Sequence, residues 1–159
     1  VPVILRPGYV TGEMLSETVG EVRLDPALMT GVASDVKPKA PGMKYRHYAP
    51  KGELTIVEGD PDKVASYINE QTALHMAKGE KTGVIGTSDM ADSYRADSVK
   101  IAGDRDDEEA IARQLYTFLR EFDDENIEYM YSESFDATGM GQAVMNRLLK
   151  AAGHKVITV

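Results

Sequence analysis

The chain has 159 residues, 42% of them hydrophobic and 28% charged, with a formal net charge of −8 and no cysteine. That length holds one ordinary domain with a core and an appendage, and the lack of thiols excludes a disulfide framework or a thiolate metal site. No apolar run is long enough to cross a bilayer and no signal peptide is visible, so a cytoplasmic setting without membrane contact is expected, while the acidic balance argues against broad binding to nucleic acid.

Val1 to Leu5 reads as a short apolar strand, ended by the turn residues Arg6-Pro7-Gly8. Thr11 is a candidate helix N-cap, Glu13 suits the positive end of the helix dipole, and Gly20 ends the segment before a second short strand near Glu21 to Leu24. These pieces are too few to bury a core. A chain that starts inside a strand, without methionine, reads as part of a longer protein, so residues 1–31 are expected to be the last elements of an upstream domain, loose on their own or paired with another copy.

The next stretch, to Gly52, is rich in proline (Pro26, Pro38, Pro41, Pro50) and has no sustained period. Long connections of this kind are either functional or disordered, and residues 32–52 read as an interdomain linker. Lys37, Lys39, Lys44, Arg46 and Lys51 concentrate positive charge there with no carboxylate between Val36 and Gly52, and Tyr45 and Tyr48 are interleaved with them. Planar rings among guanidinium and ammonium groups suit a ligand with an aromatic base and phosphates; a proline-rich solubilising tether is the plainer alternative. His47 sits beside Arg46, which disfavours an imidazolium, so it reads as a hydrogen-bonding or packing group.

Residues 53–159 alternate strand and helix patterns. Strands are expected at 54–57, 83–86, 99–102, 127–131 and 156–159. Helices are expected after Asp60-Pro61, after Asp106-Asp107 with Ile111, Leu115, Phe118, Leu119 and Phe122 at helical spacing, and after Thr138, with Gly79 and Gly153 as stops. Strands joined by helices of this length predict an α/β fold: a three-layer αβα Rossmann-like domain with a mainly parallel five-stranded sheet. Its strand ends carry Gly86-Thr87-Ser88, Gly103-Asp104 and Ser132-Glu133-Ser134, which read first as ordinary turn formers. Thr138-Gly139-Met140-Gly141 resembles half of a dinucleotide fingerprint, lacks the third glycine and follows Asp136, so it is discounted. No Walker sequence, nucleophile elbow or metal-ligand cluster is present, and His75 and His154 read as isolated structural or solvated groups.

Pro41-Gly42-Met43-Lys44-Tyr45-Arg46-His47-Tyr48-Ala49-Pro50 resembles the linker signature of the two-domain threonylcarbamoyl-AMP synthases, in which a YrdC-type catalytic domain is followed by a smaller α/β domain. Ile4-Leu5-Arg6-Pro7-Gly8 with Thr11 is similar to the end of that catalytic domain, and Gly141 to Ala152 to the last helix of the smaller one. The resemblance implies the C-terminal portion of an enzyme that condenses L-threonine, bicarbonate and ATP into threonylcarbamoyl-AMP and pyrophosphate, for threonylcarbamoyladenosine formation in tRNA. It implies ATP contacts by Arg6 and Tyr48, with Lys44 and Arg46 as further phosphate contacts, and magnesium accompanying ATP. No catalytic residue, metal ligand or bound cofactor is expected in this portion alone, and its partner is the upstream catalytic domain rather than tRNA. The linker is expected to act as a lid that excludes water from a labile mixed anhydride. The alternatives are a regulatory nucleotide- or protein-binding module and a dimerising structural domain.

Overall fold

The computed structural model describes residues 1–26, 50–135 and 139–159. At the start, β1 (Val3–Ile4) and β2 (Arg23–Leu24) pair in parallel around α1 (Gly12–Val19). Thr11 caps α1 as expected, its Oγ1 accepting from the Met14 N–H at 3.3 Å. No residue of α1 is buried, and Val3, Tyr9, Val10, Met14 and Val19 are exposed. This unit therefore has no core of its own.

The second unit runs β3 (Glu53–Glu58), α2 (Pro61–Ala77), β4 (Thr82–Gly86), a 3₁₀ helix (Ser88–Ser93), β5 (Ser98–Ile101), α3 (Glu108–Asp124), β6 (Tyr129–Glu133), α4 (Met140–Ala151) and β7 (Val156–Thr158). The five strands pair in the order β5-β4-β6-β3-β7, parallel throughout. Both faces are apolar because side chains alternate across a strand. Leu54, Ile56, Ile85 and Met130 face α3 and α4, packing with Ile111, Leu115, Phe122, Val144 and Leu148. Val57, Val84 and Tyr131 face α2, packing with Val64, Ala65, Ile68 and Tyr94. The result is the three-layer αβα sandwich that the alternation predicts.

Caps explain the helix boundaries. Asp60 and Asp107 accept from backbone N–H groups of the first turns of α2 and α3, and Pro61 opens α2 at a position where its missing N–H costs nothing. Gly79 and Gly153, with φ of 76° and 59°, turn the chain after α2 and α4. The N-cap of α4 is Gly139, with no side-chain capping bond; the expected cap, Thr138, lies outside the described residues. Strand β6 lies two residues later than its pattern suggested. Ile127 looks like strand but fills the core before it, and Glu133 looks like loop but is the last residue of the strand.

Candidate functional site

In open parallel sheets the crevice for ligands opens beyond the carboxyl ends of strands whose following connections diverge. Here those strands are β4 and β6. After β4 the chain passes over the α2 face, where Met90, Tyr94 and Ala96 pack, and after β6 it returns through α4 on the opposite face. That crevice is filled by side chains. Glu133 is 2% exposed and accepts the Thr87 N–H at 2.7 Å through Oε2; Oε1 receives Arg105 Nη2 at 2.5 Å. Arg105 also donates to Thr87 Oγ1 at 3.2 Å and lies 3.6 Å from Asp89. The Thr87 hydroxyl donates to Asp89, which with Arg105 nearby holds that carboxyl below its usual range. Tyr94 is 7% exposed; burial, then the Glu133 charge, pushes its phenol far above its ordinary value. The expectation of plain turn formers at these strand ends does not hold for Thr87 and Glu133. A glutamate immediately after a buried strand core was the available signal, because a buried carboxylate requires a partner.

The N-terminus of α4, where a dinucleotide phosphate would sit, is also taken. Glu108 Oε2 accepts the Gly141 N–H at 3.0 Å. Discounting the half-fingerprint is consistent with this.

His75 is not isolated. Its ring stacks on Tyr129 at 3.8 Å, Nε2 meets the Tyr131 hydroxyl at 3.1 Å, and Glu80 lies 3.5 Å from Nδ1. It bridges α2 to the sheet, the structural role expected. His154 follows α4 with φ 61°, and burial together with Lys150 lowers its pKa.

Of the residues expected to contact nucleotide, Arg6 is exposed at the bend after β1. Tyr48, Lys44 and Arg46, with His47, lie outside the described residues. Arg6 stands close enough to Lys150 on α4 to disfavour that ammonium further, after burial has already lowered its pKa. Beside it, Pro7, Gly8 and Tyr9 form one wall of a cleft of about 470 Å³ whose other walls are α3 and α4. Among the described residues, no cluster of three or more metal-ligating side chains is present, and no helix is long and apolar enough to cross a membrane.

A parallel αβα domain, joined to a strand–helix–strand unit too small to fold around its own core, is the class of protein these features define. The family described as "Threonylcarbamoyl-AMP synthase, C-terminal domain" matches residues 10–153, and the chain belongs to it. It is 42% identical over 157 residues to the threonylcarbamoyl-AMP synthase of Bacillus subtilis, covering 99% of this chain and 43% of that protein. The Pyrococcus abyssi enzyme of the same name is 45% identical over 158 residues, with 99% and 44% covered. The chain thus spans less than half the length of these relatives. Among solved structures, Pyrococcus abyssi Sua5 complexed with L-threonine matches with a TM-score of 0.86 at 44% identity, over 99% of this chain and 44% of that one. The crystal structure of a C-terminal Sua5 domain from Pyrococcus horikoshii matches with a TM-score of 0.56 at 34% identity, over 70% of this chain and all of that one.

Proposed function

We propose that this chain works as the carboxyl-terminal part of a threonylcarbamoyl-AMP synthase, which joins L-threonine, bicarbonate and ATP and releases pyrophosphate, in the cytoplasm, for tRNA modification. The observation that carries this reading is similarity over 99% of the chain, at 42–45% identity, to relatives of that name. Residues 1–31 complete the upstream catalytic domain, 32–52 link, and 53–159 form the smaller domain. The coreless strand–helix–strand unit with its exposed apolar side chains supports that division, and so does the Pyrococcus horikoshii domain, which 70% of this chain covers completely.

In this reading Arg6 forks onto phosphate oxygens of ATP, and Tyr48 packs its ring on adenine or ribose. Lys44 and Arg46 add charge at the phosphate end. Magnesium enters with those phosphates. The smaller domain anchors the linker, which closes over the nucleotide and keeps water from the anhydride. One solved relative, a Pyrococcus abyssi Sua5 variant, has an adjacent His and Tyr replaced by alanine; the only adjacent His-Tyr pair in this sequence is His47-Tyr48.

The test is threonine- and bicarbonate-dependent pyrophosphate release by the longer protein containing the upstream domain. Arg6→Ala and Tyr48→Ala are each expected to lose at least tenfold in kcat/KM. Normal rates in both would return the 41–50 segment to a tether. Deleting 41–159 without loss of intermediate formation or retention would remove the lid.

A further inference from the structure

The cleft beside Arg6 brings together groups that the roles above do not use. Its floor is Ala112 on α3 and Ala143 and Val144 on α4, small side chains that let a flat group approach both helices. Tyr9 and Tyr116 supply rings, with the Arg120 guanidinium 5.6 Å from the centre of the Tyr116 ring. Arg113 and Arg147 enter from the two helices. Among the described residues, Arg113 has only a loose partner, Glu109 at 3.8 Å, and no carboxylate pairs with Arg147. Arg6 and Lys150 lie just outside, so cations gather here in a chain whose net charge is −8. Among the described residues, Glu109 is the single carboxylate in the lining.

A volume near 470 Å³ falls in the range of small-molecule sites. Two guanidiniums on facing helices match phosphate oxygens by forked hydrogen bonds, and phenol rings match a nucleobase by stacking. We infer that this cleft is a nucleoside-phosphate site of the α/β domain, with Arg113 and Arg147 on the phosphates and Tyr9 and Tyr116 against the base. It uses none of the carboxyl-edge crevice, which Arg105 and Glu133 fill. It also stands or falls apart from the assignment of Arg6 and Tyr48 to the ATP of the synthase reaction, because its residues lie mainly on α3 and α4.

The experiment is calorimetric titration of the 159-residue chain with ATP, adenosine and inorganic triphosphate, repeated with Arg113→Gln/Arg147→Gln, Tyr116→Ala and Arg6→Ala. Melting curves check that each variant is folded; the arginines are exposed, so their replacement leaves the core intact. ATP is expected to bind saturably at one site, at least tenfold more tightly than either adenosine or triphosphate. The double arginine variant should weaken ATP at least tenfold, and Tyr116→Ala should bring ATP down to the affinity of triphosphate. No saturable ATP binding, equal binding of ATP and triphosphate by the unaltered chain, or undiminished binding by the double variant would overturn the site. If binding falls in Arg6→Ala alone, the nucleotide contact belongs to Arg6 and not to this cleft.

Discussion

Arg105, in the loop after β5, reaches across the end of β4 to Glu133, the last residue of β6, with 2.5 Å between Nη2 and Oε1. The pair closes the crevice where parallel sheets bind ligands, and it ties three strands together at that edge. Arg105→Ala leaves a buried carboxylate with the Thr87 N–H and no cation, and is expected to cost about 3 kcal/mol. Glu133→Gln keeps an acceptor for Thr87 while losing the charge, and should cost less, about 1–2 kcal/mol. Urea unfolding of both variants checks the order; equal, negligible losses would show the pair to be stabilised no better than a solvated one.

Gly86, at the end of β4, is held to hydrogen by its neighbours. A Cβ there would come within 2.5 Å of Tyr94 Cε2 and 3.0 Å of Glu133 Oε2. Gly86→Ala is expected to destabilise by about 1–3 kcal/mol through overpacking. In a Tyr94→Leu background the same change should cost clearly less, and a double-mutant cycle measures the coupling.

Glu108 stands in for an anion at the start of α4. Removing its carboxylate in Glu108→Ala frees the Gly141 N–H and the positive end of the helix dipole, at about 1 kcal/mol. Amide exchange at Gly141 should speed up, whereas Glu108→Gln, which keeps an acceptor, should retain most of the protection.

His154 contributes a pH dependence above the carboxylate range. Its folded pKa is depressed by burial and then by Lys150, so protons bind the unfolded chain more readily. Its contribution to stability is complete above the ordinary histidine value of about 6.5 and is lost as pH falls through the lower folded value. His154→Asn removes that dependence, and asparagine tolerates the φ of 61°. Thermal melts between about pH 7 and pH 5 should flatten in the variant; an unchanged slope would place the dependence elsewhere.

The architecture was legible in the sequence because it rests on local periodicities. Alternating strands separated by amphipathic helices such as Ile111-Leu115-Phe122 admit little besides a covered parallel sheet, and Thr11, Asp60-Pro61, Asp107, Gly79 and Gly153 mark ends by their own backbone chemistry. The positive charge between Lys37 and Lys51 and the Arg-Pro-Gly run were legible for the same reason, being contiguous in the chain. What needed the tertiary structure was every pairing between distant residues. Arg105 with Glu133, Glu108 with Gly141, His75 with Tyr131, and the meeting of Tyr9 with Arg113 and Arg147 each join segments far apart in sequence. No local pattern marks them, because strand order and helix packing bring the partners together, and the low dielectric of the interior then makes each pairing matter.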